Sequence, residues 1–203
     1  MCFHSKLSAA AQSIENRFKA KFTKPDYRPT DRYVGFAHPE TPIITGQTPQ
    51  SIDYFQWGLV PTWSKDMGIQ AYTLNARIET LEEKPSFKDS INKRCLILVD
   101  GFYEWQWLTP SGSRKQQYLI GIAEDAPFAL AGIYNTCKHP FNGTNLHTYS
   151  IVTTEALGLM AEIHNSKHRM PVILNPETEQ AWLAGAPLLN FTKPETSIIA
   201  KPV

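Results

Sequence analysis

The sequence predicts an α+β fold: a single domain over residues 1–203, built around a mainly antiparallel, partly barrel-like β-sheet with short flanking helices. Three observations carry this expectation. Short β-branched and aromatic runs follow one another between turn residues. They do not alternate regularly with long helices, which disfavours a doubly wound parallel sheet. The chain has 203 residues, 42% hydrophobic and 19% charged; that balance suits one globular domain able to bury its core without disulfides or structural metal.

The elements follow in order. Residues 8–22 read as a helix, with Ser8 as a cap and Ile14, Phe18 and Phe22 four apart on one face. From Pro25 to Pro49 the chain is rich in Pro, Thr and Gly and reads as loops with short strands, one of them at residues 32–37. Leu96-Ile97-Leu98-Val99 has the character of a buried strand, and residues 109–114 of a hairpin loop. Residues 118–122, 128–134, 148–153 and 170–174 are further strand candidates. Residues 155–163 read as a short helix. Asn175-Pro176 is a cap-plus-proline helix start, with Gly185 as its stop.

Composition excludes some classes of function. A net charge of +1 is not the signature of a bulk polyanion binder, so any contact with nucleic acid must come from a local patch. The three cysteines, Cys2, Cys95 and Cys137, are odd in number and widely spaced, against a disulfide framework or a four-thiolate zinc site. No charged-then-apolar leader and no membrane-length apolar run is seen. The expectation is a reducing, cytoplasmic compartment and no membrane partner.

Five segments carry chemistry. Removal of Met1 would give Cys2 a free α-amine beside its thiol. Such an amine has a pKa near 7.7–8.0 against about 10.4 for lysine, so roughly a tenth is unprotonated at neutral pH. It is a good Schiff-base nucleophile, and the thiol can close on the imine as a thiazolidine; a lone second-position cysteine is more often inert. Asn75-Ala76-Arg77-Ile78-Glu79 puts an amide, a guanidinium and a carboxylate on alternate residues, hence on one face of an extended segment. Arg77 suits phosphate, although a surface Arg–Glu pair reads as well. In Gly101-Phe102-Tyr103-Glu104-Trp105 a carboxyl sits between aromatics, which would raise its pKa toward proton-shuttling range, and Trp105 could stack on a base. His164, Lys167, His168 and Arg169 form a basic cluster with two candidate proton carriers. Trp57 and Trp63 flank a Gly/Pro turn and could stack on nucleic acid, although core packing is the commoner role.

Together and in this order, Met1-Cys2, WGLVPTW, NARIET, GFYEW, the Ile151–Thr154 strand end and the IH…RMPVIL segment resemble the SRAP family, the SOS-response-associated peptidase-like or abasic-site processing proteins. The match runs from residue 1 to residue 174. The resemblance implies a covalent thiazolidine DNA–protein crosslink between Cys2 and C1′ of an abasic site in single-stranded DNA. It makes Asn75 the group that orients the N-terminus, Glu104 the proton acceptor and donor, and His164 the group that opens the sugar. Arg77 and Arg169 would hold phosphates, with His4, Trp57, Trp63, Trp105 and His168 also on the DNA. It implies no cofactor and no metal, a monomer, a bacterial-type protein associated with the nucleoid when on DNA, and replication-fork proteins as candidate partners. Two departures stand out. The family opens Met-Cys-Gly-Arg, and here His4 stands in the arginine's place. The family has His-x-Arg-Met-Pro, and here His164 lies further from Arg169, with His168 as the alternative histidine. The competing readings are a cysteine peptidase with Cys2 as N-terminal nucleophile, a non-catalytic single-stranded DNA-binding module, and a metal site from Cys2, His4 and His164 that lacks a fourth ligand.

Overall fold

The computed structural model describes residues 2–203. The first part of the chain forms β1 (His4–Leu7), α1 (Ala11–Phe18), β2 (Lys21–Phe22), β3 (Thr30–Val34), β4 (Glu40–Thr45), β5 (Ser51–Trp57) and β6 (Asn75–Arg77). The middle forms β7 (Arg94–Val99), β8 (Gly101–Trp107), β9 (Lys115–Gly121), β10 (Phe128–Lys138) and β11 (Asn145–Glu155). The last part forms α2 (Leu159–Ile163), β12 (Arg169–Pro171), β13 (Ile173–Leu174), α3 (Pro176–Leu183) and β14 (Ile199–Pro202).

The β7 strand is apolar on both faces and is buried at every residue, as a central strand should be. It pairs antiparallel with β4 and β10. From there β10 pairs with β11 and β4 with β5, both antiparallel. A short parallel seam, Thr148 opposite Gln56 and Tyr149 opposite Trp57, joins β11 back to β5 and closes a five-strand ring. A second sheet, in the order β14-β9-β8-β1-β3, lies beside it. One core cluster links the ring interior to this sheet, with Cys2, Phe102 and Ile120 among Trp57, Ile97 and Ile151. Another lies under the helices, with Ile14, Leu96, Leu98 and Trp182. The expected α+β architecture with a partly barrel-like sheet is therefore the one observed.

Asp100 alone separates β7 from β8 and anchors the entry of the chain. Its Oδ2 accepts the N–H groups of Ser8 (2.6 Å) and Ala9 (2.7 Å), and its Oδ1 accepts Lys6 Nζ at 3.0 Å. Asn175 caps α3 as its sequence indicated, with its side chain accepting the Thr178 N–H at 2.9 Å.

Several boundaries differ from expectation. The first helix begins after Ala10 and stops at Lys19, which is left-handed at φ 52°. Ser8 is occupied with Asp100 and does not cap it. Phe22 belongs to β2 and stacks on Tyr27 at 4.7 Å. The expected strand at 32–37 ends at Val34, where a 3-10 turn over Gly35–Ala37 begins; Gly35 passes so close to the Phe3 carbonyl and the Trp57 ring that a Cβ would sit 3.3 Å from each. The helix expected at 155–163 is only Leu159–Ile163, since β11 extends through Glu155. The expected strand at 170–174 is two short strands on different partners.

Candidate active site around Cys2

Cys2 enters the core just before β1 and is fully buried. Asn75, the first residue of β6, donates Nδ2–H to the Cys2 carbonyl at 2.9 Å. Register fixes that amide: Asn75 lies opposite Ile151 in the parallel β6–β11 pair, and the Ile151 N–H donates to the Leu74 carbonyl at 3.1 Å. Burial pushes the Cys2 thiol well above the ordinary range, and the nearby Glu104 carboxylate pushes it further.

Glu104 is in the middle of β8 and is 3% exposed. Its burial raises the carboxyl to about 7, within reach of proton exchange at neutral pH. His164 ends α2, and its Nε2 stands 3.7 Å from Glu104 Oε2. That separation is longer than the roughly 2.7–2.9 Å of a charge-assisted hydrogen bond. Burial, reinforced by the charges of His168, Arg169 and Lys167, depresses the imidazole to about 4, so it is neutral at pH 7. The Arg169 backbone N–H donates to His164 Nδ1 at 3.0 Å. Nδ1 is therefore the acceptor nitrogen, and the proton of neutral His164 lies on Nε2, facing Glu104.

The structure thus brings Cys2, Asn75, Glu104 and His164 to one buried locus from four separate segments. Arg77 is exposed and lines a groove of about 440 Å³ beside Asn75, together with Phe3, Phe36, Tyr72 and Lys84. Phe36 and Tyr72 are strongly exposed for aromatic residues. Trp63 is 52% exposed and donates Nε1–H to the Pro85 carbonyl at 3.3 Å, which places it next to this groove. His4 meets the Trp105 ring edge-on at 4.9 Å. Burial, then the charge of Arg32, lowers its pKa.

Two residues expected on DNA are placed otherwise. Trp57 is fully buried, stacks on Tyr149 at 6.1 Å and donates Nε1–H to the Leu74 carbonyl at 2.9 Å, so it presents no ring to solvent. Arg169 is 8% exposed, and its guanidinium is engaged by both oxygens of Glu79 (2.8 and 2.9 Å) and by the Thr153 carbonyl. That pairing breaks the alternate-face pattern of the Asn75–Glu79 segment, which turns at Ile78. His168 is exposed, with a left-handed backbone at φ 50°. Among the described residues no three His, Cys, Asp or Glu side chains are grouped as metal ligands, and no helix is long and apolar enough to cross a membrane. Phe3, Phe36, Tyr72 and Lys84 were missed from the sequence. Exposed aromatics give no local signal, and only the fold sets them beside Arg77.

A family model described as SOS response associated peptidase (SRAP) matches residues 1–201. The chain is 43% identical over 142 residues to the abasic site processing protein YoqW of Bacillus subtilis (strain 168), covering 70% of this chain and 61% of that protein. It therefore spans about three-fifths of that relative's length. It is 36% identical over 186 residues to the abasic site processing protein YoaM of the same organism, covering 90% of this chain and 79% of the other. The crystal structure of a protein from Bacteroides thetaiotaomicron superposes with a TM-score of 0.89 at 32% identity, over 100% of this chain and 92% of that one.

Proposed function

The chain belongs to the SOS response associated peptidase family, and from that premise we propose that it processes abasic sites in single-stranded DNA by covalent capture on Cys2. The observation that carries this reading is the convergence, in one buried place, of an aminothiol precursor held by Asn75 and a carboxyl raised to about 7 by burial.

The chemistry follows from those groups. Met1 lies outside the described residues, and its removal is part of the proposal, because an amide nitrogen at Cys2 cannot form an imine. The freed amine attacks the C1′ aldehyde of the ring-opened deoxyribose and gives a carbinolamine. Glu104, protonated in part at neutral pH, gives its proton to the departing hydroxyl, and water leaves as the imine forms. The thiol then adds to the imine carbon, and its proton ends on nitrogen. The product is a thiazolidine, with a net loss of one water. Glu104 is the acceptor near enough to relieve the unfavourable ionisation of a buried thiol. His164, neutral with its proton on Nε2, steadies the sugar ring oxygen by a hydrogen bond during opening, while the transferred proton comes from Glu104. Asn75 fixes the main chain of Cys2 so that the attack is within one structure rather than between two. Arg77 and the groove aromatics receive the strand, phosphate by charge and bases by stacking.

The test is a denaturing gel of the mature protein with a single-stranded oligonucleotide carrying uracil, treated beforehand with uracil glycosylase. A shifted band is expected, absent with intact DNA and lost in Cys2→Ala. Cys2→Ser retains at most a weaker, borohydride-reducible adduct. A band that persists in Cys2→Ala, or intact-mass data showing Met1 retained on active protein, overturns the reading. Peptide cleavage without any band would favour the peptidase alternative.

A further inference from the structure

Strand β8 carries Glu104, and it pairs with β1 at Gly101 and Phe102, near its start. Further along, at Trp107, the main chain finds a different partner. The Leu108 N–H donates to the Arg114 carbonyl at 2.9 Å, so in the alternating ladder the N–H and C=O of Trp107 point away from β9. There the Trp107 N–H donates to Asn165 Oδ1 at 3.0 Å, and Asn165 Nδ2–H donates to the Trp107 carbonyl at 2.9 Å. One side-chain amide thereby replaces the two bonds that a neighbouring strand would exchange with that residue. Asn165 immediately follows His164, so this clamp ties the main chain beside the imidazole to the strand that bears the carboxyl.

A second amide reinforces it. Gln106 shares a face of β8 with Glu104, two residues away. Its Oε1 accepts the Tyr118 hydroxyl at 3.3 Å, and its Nε2 donates to the Glu162 carbonyl of α2 at 3.2 Å. That carbonyl belongs to the last turn of the helix, where main-chain acceptors lack a donor within the helix. The turn that follows is bonded within itself. The His164 N–H donates to the Met160 carbonyl at 2.8 Å, and the His168 N–H donates to the His164 carbonyl at 2.9 Å. The seat of this closed turn on β8 therefore sets where His164 Nε2 stands relative to Glu104 Oε2, 3.7 Å away.

We propose that Asn165 is a positioning residue for abasic-site capture: bonded to both main-chain groups of Trp107, with Gln106 beside it, it holds His164 at its working distance from Glu104. The inference rests on the proposed function, which supplies the reaction that this distance serves. Asn165 acts through its neighbour, and an offset of about 1 Å between reacting groups can cost about 10²-fold in rate. The amides of Asn165 and Gln106 do not titrate, so the clamp is intact on both sides of the Glu104 titration.

The test uses the mature protein with Asn165→Ala and, as a milder variant, Gln106→Ala. Single-turnover capture of the abasic oligonucleotide across protein concentrations separates affinity from the rate at saturation. Asn165→Ala is expected to lower the saturating rate by about tenfold, and Gln106→Ala by less, with the half-saturating concentration unchanged. Nuclear magnetic resonance of the imidazoles gives a second readout. His164 faces Glu104 from β8 and the cations of Lys167, His168 and Arg169 from its own segment, and its titration near 4 is set first by burial. Asn165→Ala should move that titration up toward the ordinary 6.5, because a loosened turn admits water. A purely structural contact would lower the melting temperature and leave the titration in place. Unaltered rate and titration in both variants overturn the inference. So does a weaker half-saturation at an unaltered saturating rate, which would make Asn165 a contact to the strand. If the crosslink reading itself is wrong, wild type gives no band, and the His164 titration still decides whether the clamp holds the imidazole. If only the clamp is wrong, the wild-type band forms and both variants match it in rate and titration.

Discussion

Glu104→Gln tests the energetic core of the site, because it removes a titration while keeping the shape. Glu104 is raised from 4.5 to about 7 by burial. Each tenfold of proton affinity is worth about 1.4 kcal/mol, so the folded state binds this proton more tightly than the unfolded chain by about 3 kcal/mol. The sign follows from the direction. Stability from this group is fully present below 4.5 and is lost as pH rises through about 7. His164 works the other way, from 6.5 down to about 4, so its contribution is present above 6.5 and is lost as pH falls. Subtracting the variant from wild type removes the imidazole's effect to first order. Urea unfolding at a series of pH values should therefore show wild type losing about 3 kcal/mol relative to Glu104→Gln between pH 4.5 and 8, or roughly 6–12 °C in melting temperature for a chain of this size. The same variant should slow crosslinking by about 10²–10⁴-fold. Wild-type capture should be bell-shaped in pH, since it needs Glu104 protonated and the amine, near 7.7–8.0, unprotonated. Parallel stability curves for the two proteins would refute the buried-carboxyl reasoning, whatever the activity.

Four further outcomes follow from the geometry. Trp57→Ala should cost about 3–5 kcal/mol in chemical denaturation, because a buried indole and its hydrogen bond to Leu74 are both lost. If Trp57→Ala instead leaves stability intact and abolishes DNA binding, its placement in the core is wrong. Asn75→Ala should keep the fold by circular dichroism but lower the crosslinking rate by about 10²-fold through misplaced Cys2; an unaltered rate would remove Asn75 from the site. Arg169→Gln should lower stability by about 1–3 kcal/mol in urea titration and slow capture without changing the salt slope of binding. Arg77→Gln should do the opposite, reducing that slope by about 0.7 with unfolding unaffected.

The strands with local signals were legible. β7 is a continuous apolar run, and the Asn175-Pro176 cap is a start signal that needs no tertiary context. By contrast, β4 lies unplaced within the stretch read as loops with short strands, and β5 was not identified. Pro42 disguises β4, but it pairs only with Tyr54 of β5, while the pairing of β4 with β7 begins at Ile43, so its missing N–H costs that second ladder nothing. The first helix was drawn too long because the Ile14, Phe18, Phe22 spacing continues past the point where Lys19 turns left-handed. In the site, the chemical types of Cys2, Asn75, Glu104 and His164 were visible one by one. What was hidden was competition between partners. Nothing near residue 169 reveals that its guanidinium is bound by a carboxylate 90 residues away. Nothing near residue 57 reveals which of two tryptophans faces the core.

The amide that fills Nδ1 of His164 has a consequence for proton traffic. A histidine that can load on one nitrogen and discharge from the other works as a through-channel, connecting solvent to substrate. His164 has a single donor, on Nε2. Losing that proton would turn the neutral ring into an imidazolate, so in the proposed reaction the imidazole steadies the sugar oxygen through a hydrogen bond and the proton that moves comes from Glu104. Because the blocking donor belongs to the main chain, no side-chain replacement at residue 169 other than proline can free the second nitrogen.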